Sequence, residues 1–257
     1  MGRYQVSGLS RASTVCLVRD RDQLQVLMVQ RPHTSRFMPS TWVFPGGAVD
    51  DDDANAETVF GTGDDWVVAA LRELIEETGL WITTDGVVQR DPVDDAADAV
   101  RESPLSLQPD ALVYFANWIT PRAFPLRFDT RFFLALSDSD AHGWVSGDEL
   151  VDLEWINPGD ALDRARRGSW DVAFPTRKIL ELLGAAGSAD ALRAEMLAGP
   201  PVQPIEPRLF VTEDEAHILL PHDDLFDAAE SAQDDPEIMH RLAAVIAKGG
   251  AAPAELN

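Results

Sequence analysis

The chain has 257 residues, 45% of them hydrophobic, and a formal charge of −23. This length and apolar content suit one large domain or a domain with an extension, and the charge argues against a nucleic-acid backbone or an anionic membrane as partner. A single cysteine, Cys16, excludes an intrachain disulfide and a cysteine-rich zinc site; with no apolar N-terminal stretch and no run long enough to span a bilayer, the default expectation is a soluble cytoplasmic protein.

Residues Ser13 to Val18 and Leu24 to Gln30 read as two strands around the polar turn Arg19 to Asp22. Cys16 sits among Val15, Leu17 and Val18, which makes it a buried strand residue rather than a nucleophile. The segment from Arg31 to Gly47 holds Arg31 and Arg36, is broken by Pro32 and Pro39, and ends in Phe44-Pro45-Gly46-Gly47. In so acidic a chain, two arginines beside a Gly-Gly turn form a candidate phosphate clamp, because guanidinium binds phosphate oxygens in pairs. Ordinary surface basicity is the plain alternative. Asp50 to Gly63 is acidic and carries Gly61 and Gly63, and is expected to be a mobile surface loop.

Leu71 to Leu80 reads as a helix with Glu73, Glu76 and Glu77 at i, i+3 and i+4 on one face. Like charges at that spacing destabilise a bare helix. A divalent cation is the natural compensation, since hard cations bridge carboxylates to substrate phosphates. A solvated acidic face is the competing account. Val67, Leu71, Leu74 and Ile75 form an apolar face, Gly79 stands where a helix-ending glycine belongs, and Asp64 or Asp65 is placed to cap the start.

Further on, Leu80 to Ile82 reads as a short strand, Asp94 to Glu102 as a short helix within a polar stretch, and Leu112 to Ile119 and Arg127 to Leu136 as strands. Arg127, Asp129 and Arg131 alternate with Phe128 and Phe132, so the three charges share a face. Structural ion pairing and contact with substrate are equal readings of that face. Glu149 to Ile156 alternates again, Pro158 to Arg167 and Pro175 to Leu183 read as helices, and the core fold can close there. Gly184 to Ala198 is helical in composition, Arg208 to Thr212 and His217 to Leu220 fit a hairpin, and Pro236 to Lys248 has helical periodicity. The last residues are expected to be disordered. The division expected is therefore a domain over residues 1–185, with an insertion at 50–63, and an extension over 186–257 that serves as lid, dimer contact or packing.

Gly46-Gly47 followed by Arg72-Glu73-x-x-Glu76-Glu77-x-Gly79 resembles the box of the Nudix hydrolases: G, five residues, E, seven residues, then R-E-U-x-E-E-x-G-U, with U aliphatic. The second half matches at every defined position. The first half departs, being longer than the box allows, with Asp64 where the first glutamate should stand. Leu27, Arg31, Arg36 and Phe44 to Gly47 also resemble, in spacing, the coenzyme A diphosphatase branch, with Met28, Val29, Pro32 and Ser40 as departures.

The resemblance implies an α/β fold, an α/β/α sandwich with a mixed β-sheet plus a C-terminal extension. It implies hydrolysis of a diphosphate in a small nucleoside-diphosphate substrate with Mg²⁺ or Mn²⁺. It casts Gly47, Glu73, Glu76 and Glu77 as metal ligands, Arg72 as the residue that orients the glutamates, and Arg31 and Arg36 as substrate contacts. Arg131, from the charged face of its strand, is a further substrate-contact candidate. A further base or ligand from outside the box is Glu149 or Glu154. Coenzyme A or acyl-coenzyme A is the first substrate expected. Another dinucleotide or nucleotide sugar, and a nucleotide-binding module without turnover, are the alternatives. A homodimer is compatible with the extension.

Overall fold

The computed structural model of the protein describes residues 8–35, 38–145, 149–235, 237–247 and 254–255. The chain divides into two compact units: residues 12–116 with 131–202, and residues 1–11, 117–130 and 203–257.

A mixed sheet, most of it in the larger unit, organises the fold. Its strands are β1 (Ser10–Asp20), β2 (Leu24–Gln30), β3 (Thr41–Val43), β4 (Gly46–Ala48), β7 (Val113–Ile119), β8 (Phe128–Leu136), β9 (Asp152–Ile156) and β10 (Asp171–Val172). The order is β10-β3-β2-β1-β8-β7, with β4 added to β1 and β9 to β2. β10 runs parallel to β3, whereas β1, β2, β3, β4 and β9 pair antiparallel. A separate hairpin, β5 (Leu80–Thr83) with β6 (Gly86–Gln89), follows the acidic helix.

Alternation along β1 and β2 gives the sheet two apolar faces. Val15, Leu17 and Leu27 join one core with Leu71, Leu74, Ile75 and Phe133. Cys16, Val18, Val26 and Met28 are buried on the other side, and α4 (Pro158–Arg166) packs on β2 and on α5 (Phe174–Gly184). The expected α/β class with a mixed sheet is what the chain forms.

Two expectations need correction. Residues 50–63 are not a loose loop. They contain a short 3-10 turn over Asp53–Asn55 and α1 (Glu57–Phe60), and they bury Asp53, Ala56 and Phe60. Phe60 is 1% exposed and belongs to the core with Trp66 and Leu112; one large apolar side chain outweighs the surrounding acidic composition. The boundary also falls after 202, not 185. α6 (Ala189–Ala198) stays with the larger unit, because both Asp20 carboxylate oxygens accept the Ala189 N–H at 3.1 Å and Leu192 is fully buried.

The smaller unit carries β11 (Arg208–Val211) and β12 (Ala216–Leu219) as the expected antiparallel hairpin, with β13 (Ala254–Glu255) parallel to β12. Ala254 and Glu255 are paired with β12, and the last residues of the chain lie outside the described residues. α7 (Ile238–Ala247) buries Ile238, Leu242 and Val245 against Leu209 and Ala216. Among the described residues, no helix is long and apolar enough to cross a membrane.

Candidate metal centre

The acidic helix, α2, spans Asp65–Thr78. Asp64 caps it by accepting the Trp66 N–H at 3.0 Å, and Gly79 ends it in the left-handed region at φ 64°. Trp66 to Leu71, Leu74 and Ile75 are buried, so packing holds in place a helix whose charges oppose it.

β4 lies along this helix. Gly46 pairs with Thr14 and Gly47 with Ser13 in β1. The Gly46 N–H donates to Glu77 Oε2 at 2.9 Å, and the Glu73 carboxylate occupies the space a Cβ on residue 47 would need. The glycines are thus required by close approach: the turn must let two carboxylates reach the backbone.

Glu77 is buried, and burial pushes its carboxyl well up, helped by neighbouring Glu73 and opposed by the Gly46 N–H and Arg31. Burial also raises Glu73, to about 7, against the pull of the Arg72 guanidinium. Glu76 is raised by burial as well, although the Ala96 N–H, at the start of α3 (Ala96–Glu102), donates to its Oε1 at 2.9 Å. Three carboxylates held above their ordinary range are a site that a cation would relieve.

Arg72 organises them. Its Nη1 donates to Glu73 at 2.8 Å and to Glu76 at 3.2 Å, its Nη2 donates to the Ala48 carbonyl at 2.9 Å, and Nε and Nη2 together grip Asp53. Burial alone would weaken the guanidinium charge, but the bonds to Asp53 and Glu73 reverse this and raise its pKa. Asp53 corrects the sequence reading. Asp64, counted back from Arg72, is a helix cap; the carboxylate on Arg72 comes from Asp53, reached by passing over five residues after Gly47. That forward count was the available signal, and the segment between the two aspartates hid it.

The other expected residues separate. Glu149 lies close enough for its charge to raise both Glu73 and Glu77. Glu154 is instead held by Arg164 through two bonds of 2.6 and 2.8 Å, and Arg164 lies over Trp170. Arg31 has a buried Nε with no acceptor. Arg131 rests over Trp66 at 4.2 Å and Tyr114 at 5.1 Å, and Trp66 lies about two helical turns before Glu73 on α2. Arg127 binds Glu206 and the Thr120 carbonyl, and Asp129 accepts from Asn117. Arg36 lies outside the described residues. A cavity of about 440 Å³ between α1, α3 and residues 105–107 contains none of these glutamates.

The oxygen-only donor set fits a hard divalent cation. Among the described residues no three metal-binding side chains form a ready-made cage.

The NUDIX domain model matches residues 9–174. A putative nudix hydrolase 7 of Caenorhabditis elegans is 32% identical over 188 residues, covering 69% of this chain and 61% of that protein. An acyl-coenzyme A diphosphatase NUDT19 of Gallus gallus is 26% identical over 210 residues, covering 54% of this chain and 56% of that protein. This chain therefore spans less than two thirds of the length of either. The crystal structure of a NUDIX hydrolase from Alicyclobacillus acidocaldarius superimposes with a TM-score of 0.65 at 29% identity, over 76% of this chain and 100% of that one.

Proposed function

The chain belongs to the Nudix family, and we propose that it hydrolyses the diphosphate linkage of a nucleoside-diphosphate derivative, with coenzyme A or acyl-coenzyme A as substrate and 3′,5′-ADP and (acyl-)phosphopantetheine as products. The observation that carries the hydrolase reading is the junction of β4 and α2, where Glu73 and Glu77 crowd onto the Gly46-Gly47 backbone.

Glu73, Glu76, Glu77 and the Gly47 carbonyl are the groups that would hold Mg²⁺ or Mn²⁺. Such an ion, when bound, lowers the pKa of a coordinated water and neutralises charge on the diphosphate. The protein's own groups do the rest. Arg72 fixes the side chains of Glu73 and Glu76 through its bonds to both. Glu149, facing Glu73 and Glu77 from outside the box, is the base that takes the proton of the attacking water at a carboxylate oxygen. Arg31 supplies a phosphate contact, since its buried Nε lacks the acceptor that a phosphate oxygen provides.

The coenzyme A choice rests on the spacing of Leu27, Arg31 and Phe44 to Gly47 and on the similarity to the Gallus gallus protein. The test is turnover of coenzyme A, acyl-coenzyme A, ADP-ribose, NADH and diadenosine polyphosphates with Mg²⁺ and with Mn²⁺, read by product mass. Release of 3′,5′-ADP from coenzyme A well above the other cleavages is expected. Faster cleavage of another diphosphate would overturn the substrate, and cleavage of none would overturn the hydrolase.

A further inference from the structure

Eight large apolar side chains are conspicuously exposed among the described residues, and seven are Leu or Val. The eighth is Trp144, 47% exposed. Tryptophan left this open is unusual when it does nothing, because burying an indole is strongly favourable.

Its position is fixed. The Trp144 N–H donates to the Thr78 carbonyl at 2.7 Å, directly after Glu77. Its Cδ1 lies 2.9 Å from where a Cβ on Gly79 would stand, so the indole rests on the glycine that ends α2. The backbone leading to it is tied down: Gln89 Oε1 accepts from the His142 and Gly143 N–H groups, and Trp155 Nε1 donates to the His142 carbonyl. Gly143 has φ 86° and leaves room for Leu153 and Leu80. The loop is thus anchored while the ring stays half open. Glu149, five residues further in sequence, is near enough for its charge to act on Glu73 and Glu77.

An anchored, half-open indole at the C-terminal end of the acidic helix has the chemistry to stack a planar heterocycle. A carboxylate-rich site on an acidic chain has few cations to spare for the non-phosphate part of a substrate, and a π-face needs none. We infer that Trp144 is the platform on which the nucleobase of the substrate stacks. This inference rests on the reading of the substrate as a nucleoside diphosphate.

The experiment compares ADP with inorganic pyrophosphate, each with Mg²⁺, by calorimetric titration of the full chain and of Trp144→Ala, Trp144→Phe and Trp144→Leu. Base–aromatic stacking sets the expected loss of ADP affinity in Trp144→Ala at about ten- to a hundredfold. Pyrophosphate binding should stay within about twofold, and Phe should keep most of the ADP affinity. If Ala loosens the loop, shown by a lowered melting temperature, Leu against Phe decides: both fill space over Gly79, but only Phe has a π-face. Equal losses for ADP and pyrophosphate, equal behaviour of Leu and Phe, or a wild type that does not prefer ADP would each overturn the platform. The diphosphate turnover panel separates the two readings. Turnover without an ADP-selective loss defeats the platform alone, whereas an ADP-selective loss without turnover defeats the hydrolase alone.

Discussion

Arg72 Nε donates to Asp53 Oδ1 at 3.0 Å, and Nη2 of the same guanidinium reaches Oδ2 at 3.2 Å. The two-pronged grip sets the plane of the guanidinium and so determines where Nη1 meets Glu73 and Glu76. Asp53→Ala should lower stability by about 1–3 kcal/mol, the scale of a charged hydrogen bond lost with its partner left in place. Turnover should fall at least tenfold with little change in KM, and Asp53→Glu should recover part of it. Urea melts and steady-state kinetics read the two effects, and unchanged turnover would show that Arg72 is held well enough by its other partners.

Gly47→Ala puts a methyl group where the Glu73 carboxylate now lies. The obstacle is the end of a flexible side chain, so Glu73 moves while the fold persists. A stability change within about 1 kcal/mol is expected alongside a large loss of turnover. Gly46→Ala should be far worse for folding. Its φ is 153°, and its Cβ would meet the Ser13 carbonyl and Thr14, which are strand backbone and cannot turn aside. Melting temperatures of the two variants, measured together, check the contrast.

Glu73 titrates near 7 in the folded protein against an ordinary value of 4.5, and burial raises Glu77 in the same direction. A raised carboxyl favours folding when protonated. Its contribution is complete below about pH 4.5 and is lost as the pH climbs through about 7. Metal-free protein should therefore melt at a lower temperature at pH 8 than at pH 5, and Glu73→Gln should flatten that dependence. Mg²⁺ should restore stability chiefly at pH 8, where the carboxylates are ionised. A wild type and a Glu73→Gln variant with the same pH slope would contradict the assignment.

Glu149 and Glu154 should behave oppositely. Glu149→Gln removes the charge facing Glu73 and Glu77, so turnover should drop by orders of magnitude with folding intact. Glu154→Gln weakens a half-exposed pair with Arg164. That change should cost about 1 kcal/mol or less and leave turnover within a few-fold. Reversed kinetic effects would move the base to Glu154.

Phe60→Ala tests whether residues 50–63 are folded. The ring is 1% exposed in the core of the larger unit, so its loss should destabilise by about 3–5 kcal/mol. A mild effect would mean that the segment is a loose loop after all.

Much of this was legible in the sequence because period and punctuation agree. β2 begins and ends where its alternation does, and α2 lies between an aspartate cap and a helix-ending glycine. The hairpin of β11 and β12 follows from its Glu213-Asp214-Glu215 turn. What escaped depends on contacts distant in sequence. Asp53 is marked only by its count from Gly47 and stands nineteen residues before the arginine it holds, with α1 in between. The short strand β6 is visible only through its pairing with β5. Glu149 and Glu154 look alike in sequence, and only Arg164, ten residues beyond the second, tells them apart.

Asp53 and Asp64 act as two fixed posts: one holds the arginine and the other starts the helix. Between them a longer connection adds little closure entropy, only about 0.6 kcal/mol per doubling, so the cost of a change lies in the packing of Ala56 and Phe60. Any replacement has to keep a large apolar side chain in the place of Phe60. Subject to that, residues 54–63 form a natural graft point, where a different segment can reshape what surrounds the acidic helix without disturbing how that helix is held.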